Sequence, residues 1–371
     1  MCNRPAGAWP AAKNLGAATI CPSPKAAETG TLCQRQKGRQ RPAQSKQAEP
    51  MAFHPPKPVP PGLWRRTPPA IFPSILGLFG LGLAWRRASV RLDLPSEVGE
   101  VILGAVTGLF AFAVLAYAVK LIRRPAVLAE DLAILPGRAG GAAMCLSVYL
   151  AAATLWPYLP GVAYAVFMAG LAWHGLFVVV LITVFLRGPA AQRRVTPVWH
   201  LSFVGFIVAA MAAQPMRLAE LSEALFIVTF VMALAIWGIS LEQARRESVP
   251  APLRPLLAIH LSPAALFGLV AAGFDLMSLA MGFAGLAGAI LVLLLIRARW
   301  LTAAGFTPFW GAFTFPLAAT ASLWLTLGGI WALPGVAALA GATALVPWVA
   351  WKVLRLWSRG QLATITNAAV A

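Results

Sequence analysis

From residue 70 onward the chain alternates between long apolar runs and short polar breaks. The runs cover residues 70–85, 101–119, 142–159, 164–186, 199–214, 224–241, 256–273, 276–296, 309–327 and 332–351, and none contains Lys, Arg, Asp or Glu. Asp275 sits at the turn between the seventh and the eighth. Several runs are shorter than the roughly 20 residues of a typical membrane-spanning helix, and taken singly such a run reads equally well as a buried core helix. Ten of them in series predict an all-α integral membrane protein with ten transmembrane helices.

Composition strengthens that expectation. Of 371 residues, 59% are hydrophobic and only 11% charged, against about 25% charged in ordinary soluble domains. So little charge does not coat a water-facing surface. The net charge of +18 would suggest nucleic acid in a soluble protein. In a membrane protein it follows from basic residues gathering in cytoplasmic loops, and no nucleic-acid partner is expected. With the N-terminus inside, the inner loops and C-terminal tail hold 15 Lys and Arg, and the outer loops hold only Arg86, Arg87, Arg91 and Arg217. Both termini are therefore expected in the cytoplasm, with the protein in a bacterial inner membrane.

Residues 1–68 form a basic, Pro-rich stretch with 11 basic and 2 acidic residues. It lacks the apolar content to bury a core and is expected to be disordered. Met51, followed by a short Pro-rich lead into the first run, is an alternative start. Residues 69–357 form the transmembrane domain, and 358–371 a short cytoplasmic tail.

Loop lengths and prolines add order. The outer connections after runs 3, 5, 7 and 9 are short, which forces antiparallel neighbours and arranges the helices as five hairpins. Runs 2, 4, 6 and 8 lack proline, whereas runs 1, 3, 7 and 9 carry Pro73, Pro157, Pro263 and Pro316, Pro215 closes run 5, and Pro347 in run 10 is the exception. Proline inside a helix leaves a carbonyl unpaired, which hydrocarbon does not satisfy. The pattern predicts odd-numbered helices inside and even-numbered helices facing lipid.

Enzyme chemistry has no foothold in this pattern. The zinc-protease, Walker A and nucleophile-elbow motifs are all missing, so no catalytic residues, cofactors or metal ligands are expected. Cys2, Cys21, Cys33 and Cys145 form no C-x-x-C pair. The glycines of Gly77-Leu-Phe-Gly80-Leu-Gly82 read as small residues that let helices approach. No acidic residue lies inside a run to serve a proton- or cation-coupled carrier. His174 and His260 are the only candidate relays, and an intramembrane histidine is more often a hydrogen-bonded structural element.

At the ninth run the residues become specific. Phe309-Trp310-Gly311-Ala312-Phe313-Thr314-Phe315-Pro316 resembles the W-A-F-[ST]-F signature of the tellurite-resistance/dicarboxylate transporter family, which includes bacterial tellurite-resistance proteins and the slow anion channels of plant guard cells. Pro73-Ser74-Ile75-Leu76-Gly77 and Leu261-Ser262-Pro263-Ala264 support it, and the likeness covers roughly residues 68–360. An extra glycine, Gly311, separates Trp310 from Ala312, so the register of the tryptophan departs from the signature. The resemblance implies a homotrimer in membrane lipid, each protomer with a central pore inside the odd helices, plugged by the phenylalanine at position 315. On that reading Pro73, Pro263 and Pro316 shape the pore, and Ser262 and Thr314 either offer hydroxyls to a passing anion or back-bond to their own helices. The expected function is channel-like passage of small anions. The alternative is a proton-linked exporter of C4-dicarboxylates, sulfite or tellurite-related oxyanions.

Overall fold

A computed structural model describes residues 62–371; Met51 and the rest of residues 1–61 lie outside the described residues. Eight helices are long and apolar enough to cross a membrane. Six of them are α1 (Phe72–Leu92), led by the 3-10 turn Pro69–Ile71, α2 (Glu97–Arg123), α4 (Leu135–Leu155), α5 (Pro160–Arg187), α7 (Ala219–Arg246) and α9 (Met277–Ile296). The eighth, α12, runs Ala332–Ser358, and α8 (Leu261–Gly273) is led by a 3-10 segment, Ala251–His260. Short helices α3 (Val127–Ala133), α10 (Ala298–Leu301) and α13 (Gln361–Ile365) lie between or after them.

Two apolar segments are broken. One is a π-helical turn, His200–Val204, followed by α6 (Phe206–Ala213). The other is a 3-10 stretch, Pro308–Phe313, followed by α11 (Thr314–Leu327).

Burial alternates along the chain. In their most apolar stretches α1, α4 and the Ala251–Gly273 segment are 72%, 83% and 78% buried, whereas α2, α5, α7, α9 and α12 are 33% buried or less. Most of α6 and α11 is buried as well. The five buried segments touch in a closed cycle, α1 to α4 to α6 to α8 to α11 and back to α1, and each packs against the exposed helix that follows it. On the outside, large apolar side chains such as Ile227, Val231 and Leu234 of α7 and Val292 of α9 are more than half exposed. Water does not tolerate apolar surface on that scale; lipid does.

Helix ends differ from the apolar runs in a regular way. The helix of the first run continues past Trp85 through Arg86, Arg87 and Arg91 to Leu92, and that of the third starts at Leu135, seven residues before residue 142. Charged residues are compatible with a helix and end only its apolar stretch. The expected proline kinks are also displaced. Pro73, Pro263 and Pro316 occupy the first turns of α1, α8 and α11, where no helical partner is lost. Pro157 and Pro215 lie beyond the ends of α4 and α6. Of the prolines in the ten runs, only Pro347 sits in an α-helix past its first turn, in α12.

A buried polar knot ties Thr67 and the C-terminal stretch to this body. The Lys120 ammonium, fully buried in the last turns of α2, donates to Asp131 Oδ2 of α3 (2.7 Å) and to the Thr67 carbonyl (3.1 Å). Tyr117 donates to the same carboxylate (3.0 Å), and the Ala369 amide donates to Asp131 Oδ1 (2.8 Å). Thr67, expected in the tail, is therefore packed, and the stretch after α12 folds back through α13. Removing one partner of a buried ion pair costs about 3–5 kcal/mol because the other charge is left without compensation. Lys120→Met should lower the thermal midpoint of the detergent-solubilised protein sharply, and Lys120→Met with Asp131→Asn should recover part of the loss.

Candidate functional site

α1 and α11 share a close seam. A side chain on Gly77 would collide with Thr314, and one on Gly80 would reach within 2.9 Å of the Phe315 ring and 3.2 Å of Ala318 Cβ. The two small residues, one turn apart, let the α11 backbone approach and seat the Phe315 ring against α1. Thr314 is spent on this seam. Its hydroxyl donates to the Gly311 carbonyl (2.7 Å), lies 3.3 Å from that of Pro73, and is wholly buried.

Two small cavities lie inside the ring, and both draw residues from all five buried segments. The first, about 30 Å³, opens among the helix starts and is lined by Pro73, Ala139, Leu201, Ser262, Pro316 and Phe315, among others. The second, about 20 Å³, is lined by Gly80, Arg87, Leu150, Met211, Leu266, Ser322 and again Phe315. Each holds about one or two water molecules. Phe315 is the one residue common to both linings, and it is 4% exposed.

No carboxylate lines either cavity. Ser262 is the only polar side chain at the first, and its hydroxyl is buried without a partner. The first cavity also collects the starts of the α1, α4 and α11 segments, whose dipoles place partial positive charge there. At the second, Arg87 Nη1 donates to Thr326 Oγ1 (3.2 Å) and has no acidic partner among the described residues. Its neighbour Arg86 is neutralised by a two-pronged bond to Glu100 (2.7 and 2.8 Å).

The residues singled out in the sequence divide accordingly. Phe315, Pro73, Pro316 and Ser262 meet at the first cavity. Pro263 follows Ser262 in the first turn of α8 without lining either cavity, and Thr314 faces the seam instead. Trp310 packs among Phe306, Phe313 and Trp348, with its indole N–H donated to the Gly305 carbonyl (2.9 Å), away from the ring. His174 spends both nitrogens, on the Tyr149 hydroxyl (3.1 Å) and the Ser202 carbonyl (3.0 Å). His260 pairs with His200, Nδ1 to Nε2 at 3.0 Å. Arg87 was hidden because the apolar run stops at Trp85. Its signal was helical spacing, since Gly80 and Arg87 are seven residues apart and share a face, as do Phe315, Ala319 and Ser322 on α11. Among the described residues no group of three or more His, Cys, Asp or Glu comes together.

The family model for the voltage-dependent anion channel matches residues 66–356, which spans the whole ring and its outer helices. Among curated proteins no match to the chain is found.

The contact of Phe315 with Gly80 is measurable by itself. Gly80→Ala overpacks the seam and should cost about 1–3 kcal/mol. In a Phe315→Ala background the same substitution should cost much less, because the ring that the new methyl would strike is gone. Thermal unfolding of the four proteins in detergent gives the coupling.

Proposed function

The chain belongs to the voltage-dependent anion channel family, and we propose that it is a passive, channel-like pathway for small anions through the middle of its five-helix ring, gated by Phe315. One observation carries the reading: a single aromatic ring belongs to the walls of both central cavities. An apolar side chain in that position blocks permeation by keeping the constriction dry. Rotation of the ring off Gly80 opens it.

Charge selects the ion. With no carboxylate in either lining, three helix starts at one cavity and Arg87 at the other, an anion meets favourable potential on both sides of Phe315. Ser262 supplies a weak, replaceable hydrogen bond of the kind that permeation requires. Cavities this narrow suit small inorganic anions better than C4-dicarboxylates.

In this reading the eight long helices and the two broken segments make ten spans in five hairpins. The positive-inside rule puts the helix starts around the first cavity, and both termini, on the cytoplasmic side of a bacterial inner membrane. The protein assembles as a homotrimer with one pathway per protomer. The proton-linked exporter draws less support, because neither His174 nor His260 lines a central cavity.

Planar-bilayer recordings of purified protein test the gate. Removing a barrier of only about 1.4 kcal/mol raises a rate tenfold, so Phe315→Ala should raise chloride conductance by tenfold or more. Adding Arg87→Gln to that variant should lower the conductance severalfold. An unchanged current in correctly inserted Phe315→Ala protein would remove Phe315 from the role.

A further inference from the structure

On the outside of the ring, a cleft of about 740 Å³ runs between the C-terminal halves of α7 and α9, with the Ala251–His260 segment behind it. It is separate from the central cavities and shares no residue with the second of them. Its chemistry is layered. Arg245, Arg246 and Arg297 stand at the end where α7 and α9 finish. Leu241, Leu257 and Leu293 line the shaft. Deeper still are the Trp237 indole N–H and the Ser240 hydroxyl, both buried without a hydrogen-bond partner.

The charges around the cleft leave it positive. Arg246 is paired with Glu242 (2.6 Å), and Glu247 is taken by Arg194 (2.6 Å). Arg245 is 3.8 Å from the already shared Glu242, and Arg297 has no acidic partner among the described residues. Arg254, across the end of the cleft, is spent on the carbonyls of Val249 (3.0 Å) and Trp300 (3.2 Å) and on the Trp300 ring. Arginines at helix C-termini are favourable in their own right, but that does not account for two orphaned donors below them. Those donors lie at a telling depth. Ser240 is five residues from Arg245, about 7.5 Å along the helix, and Trp237 is a further turn down.

We propose that this cleft is a binding site for one anionic diacyl phospholipid of the cytoplasmic leaflet. Arg245 and Arg297 hold the phosphate. The Trp237 N–H and Ser240 hydroxyl donate to the ester carbonyls, the acceptors that lie one layer below a phosphate in a bilayer. An acyl chain lies along Leu241, Leu257 and Leu293. Basic pockets between spans on the cytoplasmic side suit such headgroups. The site rests on the helices crossing a bilayer with their basic ends in the cytoplasm, and is independent of what the ring conducts.

Native mass spectrometry of the detergent-purified protein, titrated with phosphatidylglycerol or with phosphatidylcholine of the same acyl chains, reads the site directly. Wild-type protein should retain phosphatidylglycerol preferentially. Arg245→Gln with Arg297→Gln should weaken that retention by about tenfold or more. Trp237→Phe, which keeps the ring and removes only the donor, should weaken retention of both lipids. Arg299→Gln, in α10 just after the end of α9 but outside the cleft lining, should leave it unchanged. Equal retention of the two lipids, an equal loss in Arg299→Gln, or a cleft found covered by a second copy of the chain with no lipid bound would overturn the proposal.

Discussion

The contact of Thr314 and Phe315 of α11 with Gly77 and Gly80 of α1 sets the geometry of the ring. A methyl group at either position collides with the opposite helix, so the interhelix spacing there is as small as side chains allow. That spacing drives the Phe315 ring inward, where it meets the walls of both cavities. Thr314, one residue earlier, is buried in the same seam with its hydroxyl held by the Gly311 and Pro73 carbonyls. The pair thus divides its labour: Thr314 fixes the rotation of α11, and that rotation aims Phe315.

The division into buried and exposed helices follows from the same economy of side chains. Buried segments are rich in Ala, Gly and Ser; all but α4 begin with 3-10 or π turns, and α1, α4, α8 and α11 carry proline in their first turns. Exposed helices α2, α5, α7 and α9 are continuous, and the exposed helices carry large aliphatic residues outward. Irregular backbone is tolerated at membrane depth where protein or a wet cavity surrounds it, and here most of it lies in the ring, the Gly329–Trp331 turn that leads α12 excepted. The charged residues follow suit. Lys120 and Asp131 are enclosed with a full set of partners, and Arg138 is held by the carbonyls of Leu132, Ala133 and Gln192. Arg87 is one that faces a central cavity without a countercharge.

Much of this was legible in the residues. The apolar runs located the long helices to within a few residues at most ends, and the absence of proline from runs 2, 4, 6 and 8 coincides with the exposed helices. The W-A-F-[ST]-F likeness drew attention to Phe315 before any geometry was available. Other features were not legible, for identifiable reasons. Hydropathy stops at the first charge, so α1 was cut before Arg87. A proline in an apolar run does not reveal whether it sits mid-helix or in a first turn, and here Pro73, Pro263 and Pro316 open their helices. Adjacent residues on a helix point about 100° apart, so proximity to Phe315 said nothing about where Thr314 faces. The meeting of His200 with His260 and the cleft beside them depend on contacts between distant segments, which no local pattern encodes.

Charge preference is the most direct test of an anion pathway built from helix starts and one arginine with no acidic wall. The measurement is the reversal potential of the open Phe315→Ala protein in a bilayer under a potassium chloride gradient. The account predicts reversal close to the chloride equilibrium potential. Reversal toward the potassium potential, or no selectivity between the two ions, would contradict it.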